Sequence, residues 1–96
     1  MKTVFIIEDV KGKNFLPAKE FGDLRVILTG KEDVDQAMDK IRHTLVNMTA
    51  DDYLLLVGSP IHIALASHYV LKAFGRANFL VWCRDYYRYN CEEIRI

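Results

Sequence analysis

The sequence predicts an α/β fold: a single domain with a mixed, mostly parallel sheet of about five strands, two main helices and a C-terminal antiparallel hairpin. Three observations support this prediction. Short runs rich in β-branched and aromatic residues alternate with two longer segments of helical periodicity. Helical connections of that length join parallel strands. The 96 residues are enough for one domain and too few for two.

Apolar runs at residues 3–7, 24–28 and 53–57 predict three strands. The run at 53–57 is apolar throughout, which is typical of a strand covered on both faces. We therefore place it at the centre of the sheet, parallel to the first strand. Residues 15–16 are predicted to return as a brief antiparallel edge segment. An irregular or single-turn helical stretch follows at residues 17–22.

Two candidate start signals precede the first helix. Thr29 and Glu32 match a capping box, and Asp33 is a rival N-cap further along the chain. Apolar residues then recur at helical spacing from Val34 to Met48, which predicts about four turns.

The second helix has a clear start and a clear end. Ser59 is a strong N-cap residue type, and Pro60 suits the first helical position. The apolar pattern continues to Phe74, and Gly75 is an ordinary helix terminator.

The last part of the chain predicts two more strands. Residues 79–84 form an apolar run, and residues 91–96 alternate in the manner of a half-exposed, antiparallel edge strand. Asn90 is predicted to be a turn residue. The sequence leaves open whether residues 86–89 are strand or loop.

The composition argues against two classes of partner. The chain has 13 basic and 13 acidic residues, whereas proteins that bind nucleic acid through its phosphates usually carry a basic excess. No apolar run approaches the roughly 20 residues of a membrane span, and no signal peptide is visible. We therefore expect no membrane or nucleic-acid partner and a cytoplasmic location. Cys83 and Cys91 are then expected to be free thiols.

The turn Gly58-Ser59-Pro60 is the best candidate for a ligand site. It ends a buried strand and opens a helix, whose free N–H groups suit phosphate or carboxylate. Glu8 and Asp9 end the first strand at the same edge of the sheet, and His62 lies in the first turn of the helix. The structural alternative is that these residues only form the turn and cap the helix.

Stricter catalytic and cofactor motifs fail. Thr29-Gly30-Lys31 lacks the earlier glycine of a phosphate-binding loop, because that position is Arg25. Ser59 lacks the flanking glycines of a nucleophile elbow, and the proline after it has no N–H for an oxyanion hole. The histidines are not spaced as metal ligands. We predict no catalytic residue, no cofactor and no metal site.

The segment from residue 82 to 89 has an unusual composition of alternating arginine and aromatic residues. Such residues stack on nucleic-acid bases, anchor protein interfaces, or close the end of a core in a β-hairpin. Zero net charge favours protein over nucleic acid. If the segment binds a protein partner or a second copy of the chain, the candidate interface residues are Trp82, Arg84, Tyr86, Tyr87, Arg88 and Tyr89.

The chain resembles a group of small, uncharacterised proteins of tailed bacteriophages. The resemblance lies in residues 14–22 (NFLPAKEFG), residues 52–60 (DYLLLVGSP), residues 80–84 (LVWCR) and Tyr89. Such relatives often carry Asp where this chain has Ser59 and where it has Cys83. Both Ser and Asp are good N-caps, so the first exchange favours a structural role for that position. The resemblance implies a phage source and no known activity.

Two function hypotheses follow. The first is a non-enzymatic binding protein that acts through protein contacts at residues 82–89. The second is a small-molecule or nucleotide-binding domain whose site is the Gly58-Ser59-Pro60 turn.

Overall fold

A five-stranded sheet with two helices on one face forms the protein, as seen in a computed structural model that describes residues 1–96. In chain order the elements are β1 (Thr3–Glu8), a 3₁₀ helix (Leu16–Glu20), β2 (Asp23–Leu28), α1 (Val34–Leu45), β3 (Tyr53–Leu55), α2 (Pro60–Phe74), β4 (Arg76–Cys83) and β5 (Arg88–Arg95). None of the helices is long and apolar enough to cross a membrane.

The strand order is β2-β1-β3-β4-β5. The first four strands are parallel, and β5 is antiparallel to β4. In the centre, Val4 of β1 lies beside Tyr53 of β3, and Leu54 of β3 lies beside Phe79 of β4. This arrangement confirms the predicted mixed α/β sheet, its central third strand and its C-terminal antiparallel hairpin.

The direction of each connection decides which face of the sheet it covers. The step from β1 to β2 runs opposite to the steps from β2 to β3 and from β3 to β4. Because parallel crossovers are right-handed, both helices lie on one face and the 3₁₀ helix lies on the other. The helix-side core centres on Phe5, Ile41 and Val70, and the opposite core on Ile6, Ala18 and Leu80.

The connection after β1 differs from its prediction. Residues 15–16 form no antiparallel edge segment, and β2 is parallel to β1, with Thr3 beside Asp23. The 3₁₀ helix buries Ala18 against the sheet and carries the chain back to the edge at which β1 began. The irregular or single-turn helical stretch predicted at residues 17–22 is seen as the 3₁₀ helix at Leu16–Glu20.

The start of α1 is set by Asp33. Its Oδ1 accepts from the N–H of Gln36 at 2.8 Å, and the side chain of Gln36 accepts from the N–H of Asp33 at 3.0 Å. The alternative start at Thr29 is wrong. Glu32 does bind the N–H of Thr29, but it lies before the first helical residue and its carboxylate turns back on the loop.

The other helix follows its prediction. It begins at Pro60 and ends at Phe74, and Gly75 follows in the left-handed conformation with a φ of 70°. Ser59 occupies the N-cap position, but its side chain makes no capping hydrogen bond. Ser59 is therefore the N-cap residue, as predicted, but its hydroxyl does not make the hydrogen bond by which serine usually caps a helix.

A four-residue turn at residues 84–87 separates β4 from β5. Tyr86 and Tyr87 lie in the turn, and Tyr87 has a positive φ of 50°. The prediction of Asn90 as a turn residue is wrong, because it lies within β5 opposite Val81. The turn occurs earlier, so Tyr89 returns directly opposite Trp82 in the ladder.

Candidate functional site

The Gly58-Ser59-Pro60 turn lies where the order of the strands along the sheet reverses. β2 and β3 flank β1 on opposite sides, and the connections after β1 and β3 leave the sheet on opposite faces. In open α/β sheets this switch point, outside the carboxyl ends of the strands, is where ligands usually bind. Glu8 at the end of β1 and the turn after β3 both lie at this position.

The carboxylate of Glu8 occupies the crevice. Its Oε1 accepts from the backbone N–H of Ser59 at 3.1 Å and from Nδ1 of His62 at 2.8 Å. The pKa of Glu8 is lowered from its ordinary value, first by the hydrogen bond from His62 and then by the backbone N–H of Ser59, against the opposing effect of burial. Glu8 is therefore a charged internal ligand of the helix N-terminus.

Two glycines make room for this carboxylate. Gly58 has a φ of 113°, and a Cβ there would lie 2.5 Å from Cβ of Glu8. Gly30 has a φ of 97°, and a Cβ there would lie 3.0 Å from Oε2 of the same side chain. Gly58 therefore lets the protein's own Glu8 side chain approach the turn closely. In phosphate-binding loops, glycine gives the same room to a bound ligand.

A second buried carboxylate stands beside the first. Glu32 accepts from the N–H groups of Thr29 and Gly30, both at 2.9 Å, and from Nζ of Lys40 at 2.6 Å. Burial alone would raise the pKa of Glu32, but Lys40 and the N–H of Thr29 hold it far below its usual range. Both carboxylates are charged, and each accepts its hydrogen bonds from donors of the chain itself.

The predicted ligand residues are only partly brought together. Glu8, Gly58, Ser59 and His62 meet in the crevice, and His62 is buried. Asp9 is exposed and its carboxylate makes no hydrogen bond within the chain. Across the whole chain, no group of three His, Cys, Asp or Glu side chains is arranged to hold a metal ion.

The predicted interface residues divide into two groups. Trp82 and Tyr89 pack edge to face across the hairpin, with ring centroids 4.9 Å apart. Tyr86 and Tyr87 project from the turn with 75% and 79% of their surface exposed. Arg84 is exposed in the same turn, and Arg88 lies 3.8 Å from Glu20 of the 3₁₀ helix.

One family model matches the chain over residues 2–96, and its description is Phage Pam3 gp32-like protein. The chain belongs to this family. Its membership in the Pam3 gp32-like family confirms the phage resemblance carried by residues 14–22, 52–60 and 80–84. No curated protein and no solved structure matches the chain.

Sequence reasoning missed two features of this Pam3 gp32-like protein. The first is the Glu32–Lys40 pair, whose signal was the Thr29–Glu32 spacing that we assigned to a helix cap. The second is a cavity of about 360 Å³ between the 3₁₀ helix and the hairpin. Its only signal in the sequence was the presence of aromatic residues at positions 82 and 89. That these two residues face each other depends on where the hairpin turn lies, which the sequence left open.

Proposed function

We propose that this phage protein is a non-enzymatic binding protein that acts through protein contacts in the host cytoplasm, with its interface on the β4–β5 hairpin. The observation that carries the proposal is a concentration of exposed large apolar side chains. We call the exposed aromatic residues at the turn end of the hairpin the hairpin surface: Trp82, Tyr86 and Tyr87.

Exposed apolar residues elsewhere are scattered over the molecule. Leu16 lies on the 3₁₀ helix, Val34 and Val46 lie at opposite ends of α1, and Ile61 opens α2. Single exposed apolar residues are normal on protein surfaces, whereas a cluster with Trp and Tyr is typical of binding sites. The hairpin surface is the cluster with that composition.

The backbone of β5 adds a second binding feature. The N–H of Ile96 donates to the carbonyl of Gly75 at 3.0 Å, in the same register as the rest of the ladder. Alternate residues therefore point their N–H and C=O groups to the open edge: Tyr89, Cys91, Glu93 and Arg95. A partner strand can pair with this edge, and the charges of Glu93 and Arg95 limit indiscriminate pairing.

The crevice at the switch point supports a non-enzymatic role. The hydroxyl of Ser59 makes no hydrogen bond to His62, so these two side chains form no nucleophile–base pair. His62 instead donates to Glu8, and both side chains are largely buried. These groups stabilise the connection between β1 and α2.

The decisive experiment compares two matched double variants. Tyr86→Ser with Tyr87→Asn removes both exposed rings, and Asn tolerates the positive φ at position 87. Val34→Ser with Val46→Ser removes two exposed apolar side chains from α1. Each protein is tagged and used for affinity capture from phage-infected cells, and each is examined alone by sedimentation velocity.

We expect a phage or host protein, or a second copy of the chain, to bind the wild type and the α1 variant. The hairpin variant should lose that association by at least about tenfold, as hot-spot aromatics do. The proposal fails if no association of the wild type, including self-association, is weaker in the hairpin variant than in the α1 variant.

A second candidate function is small-molecule or nucleotide binding at the carboxyl edge of the sheet. The position of the Gly58-Ser59-Pro60 turn at the switch point favours it. Glu8 already satisfies the N–H of Ser59, so an added anion would have to displace a charged side chain. The cavity of about 360 Å³ lies at the same carboxyl ends of the strands but on the opposite face of the sheet, and no charged side chain of the chain fills it as Glu8 fills the crevice.

A further inference from the structure

A cavity of about 360 Å³ opens at the carboxyl ends of β3 and β4, on the face of the sheet opposite to the helices. The loop after β1 and Pro17 of the 3₁₀ helix form one wall, and the sheet and hairpin form the other. Sites for small molecules typically have volumes from about 300 to 1,000 Å³. The cavity is therefore large enough for a ring system of one or two rings.

The sheet side of the cavity is apolar and aromatic. Leu55 contributes from the end of β3 and Val57 from the loop that follows, and Trp82 and Tyr89 contribute the edge-to-face pair. Trp82 is 38% exposed, so part of its indole surface is free to contact a ligand. A flat aromatic ring fits such a wall because it can stack on the indole and exclude water from the leucine and valine side chains.

The hydroxyl of Tyr89 is the most informative group. Tyr89 is only 4% exposed, and its hydroxyl makes no hydrogen bond within the protein. Every fully buried polar side-chain atom has a partner, so this oxygen must reach accessible space. Tyr89 is also one of the residues that line the cavity. Burial raises the pKa of Tyr89, so the phenol stays protonated and can donate a hydrogen bond.

The loop side of the cavity also supplies donors. Lys13 makes no ion pair with any carboxylate of the chain. Asn14 uses its Oδ1 to accept from the N–H of Leu16 at 3.1 Å, which leaves its amide N–H₂ group without a partner in the chain. The free polar groups are therefore a phenol, an ammonium and an amide. All three can donate to hydrogen-bond acceptors of a ligand, and the ammonium of Lys13 favours a negative charge on it.

The other large cavity has no buried polar side chain comparable to Tyr89. A groove of about 520 Å³ lies between α1 and α2, with Arg42, His68 and Lys72 among its lining residues. These three polar side chains are exposed, and nothing in the structure indicates what would cover the groove.

We propose that the cavity beside Trp82 and Tyr89 binds a planar aromatic ring with an anionic substituent. The ring packs against Trp82, an acceptor on its edge takes the hydrogen bond of Tyr89, and the anionic group lies near Lys13. This inference rests on the second candidate function of the preceding subsection and is independent of the exposed rings of Tyr86 and Tyr87. A nucleotide and a simple aromatic acid share this chemistry.

The test uses Trp82 as the probe, since it is the single tryptophan of the chain. Its fluorescence is titrated with the four nucleoside 5′-monophosphates, with the matching uncharged nucleosides, and with benzoate against cyclohexanecarboxylate. Saturable quenching by the nucleotides identifies a nucleotide as the source, and quenching by benzoate alone identifies an aromatic acid. Cyclohexanecarboxylate has the same charge without a planar ring and should bind at least several-fold more weakly than benzoate.

Two cavity variants and one control locate the binding. Tyr89→Phe removes only the hydroxyl and should weaken binding about fivefold, the usual effect of one hydrogen bond. Lys13→Gln should weaken binding of the anionic ligands and leave that of the nucleosides unchanged. Tyr86→Phe, outside the cavity, should bind as the wild type does. Lys13 is in an exposed loop, so its variant remains informative if Tyr89→Phe proves unstable.

The proposal is overturned if none of the probes gives a saturable signal at about 1 mM, where even weak complexes form. It is also overturned if the folded cavity variants bind as tightly as the wild type does. Neither result affects the hairpin surface, because the capture experiment depends on Tyr86 and Tyr87. Loss of association in the hairpin variant with unchanged ligand binding would separate the two functions directly.

Discussion

Glu8 stabilises the fold from inside the crevice where a ligand would otherwise bind. It accepts hydrogen bonds from Ser59 and His62, two residues more than 50 positions away in the chain. The carboxylate thereby ties the end of β1 to the first turn of α2. Charged hydrogen bonds of this kind are shorter and stronger than neutral ones, and they favour the ionised form of the acid.

The lowered pKa of Glu8 predicts a specific sensitivity to acid. A carboxyl group whose pKa is lower in the folded state stabilises the fold above its unfolded value, near 4.5, and loses this effect as the pH falls towards the folded value. Glu8→Gln should lower the free energy of unfolding by about 1–3 kcal/mol at neutral pH, the usual effect of a charged hydrogen bond. Urea denaturation from about pH 7 to about pH 3 measures both effects.

The comparison must separate Glu8 from Glu32, whose pKa is also lowered and which therefore adds acid sensitivity of the same sign. Glu8→Gln should be less stable than the wild type at neutral pH, and the two should converge as the pH falls. Glu20→Gln, an exposed control, should follow the wild type throughout. A constant difference between Glu8→Gln and the wild type at every pH would contradict the assignment.

The two helices begin with equally good N-cap residues that do different work. Asp33 caps α1 through its side chain, whereas Ser59 precedes α2 without a side-chain hydrogen bond. Asp33→Ala should therefore lower the free energy of unfolding by about 1 kcal/mol, and Ser59→Ala should change it by a few tenths of a kcal/mol. Chemical denaturation of the two variants under identical conditions tests this, and equal losses would show that the Ser59 hydroxyl does cap the helix.

The elements whose signals are local were predictable from the sequence. Pro60 and Gly75 mark the ends of α2 by their own backbone geometry, and the continuously apolar run at 53–57 identified a covered central strand. The direction of β2 was not predictable in this way. It depends on the 3₁₀ helix packing Ala18 against the far face of the sheet, a long-range contact that helical periodicity and turn signals do not reveal.

The candidate sites show the same limit. Parallel pairing of β1 and β3 was enough to place Glu8 near Ser59, so the sequence predicted that group. The sequence did not predict that Glu8 would fill the crevice. The Glu8 side chain fits there only because Gly58 has no Cβ. The cavity beside Tyr89 was missed because a shift of the strand pairing by a single residue would place the ring on the other face.

The whole molecule is covered unequally on its two faces. Both helices pack on one face, and on the other a single 3₁₀ helix touches β2 and β5 and leaves the cavity between the loop and the hairpin. The sheet also ends in two open edges, β2 and β5. The proposed ligand cavity therefore lies on the face that the fold covers least, and the proposed protein interface lies next to it, at the hairpin turn and the β5 edge.

The open edge of β5 predicts an alternating pattern of amide exchange in the isolated protein. The N–H groups of Asn90, Glu92 and Ile94 face β4, whereas those of Cys91 and its alternate neighbours face solvent, as the Ile96–Gly75 bond sets the register. The inward amides should exchange at least about tenfold more slowly than the outward ones, because they exchange only when the hairpin opens. Hydrogen exchange followed by NMR at low protein concentration measures each amide. Uniform protection along β5 in a monomer would contradict the prediction, because it would show that the edge is already covered. If adding a partner newly protects only the outward amides, the partner binds along the open edge of β5.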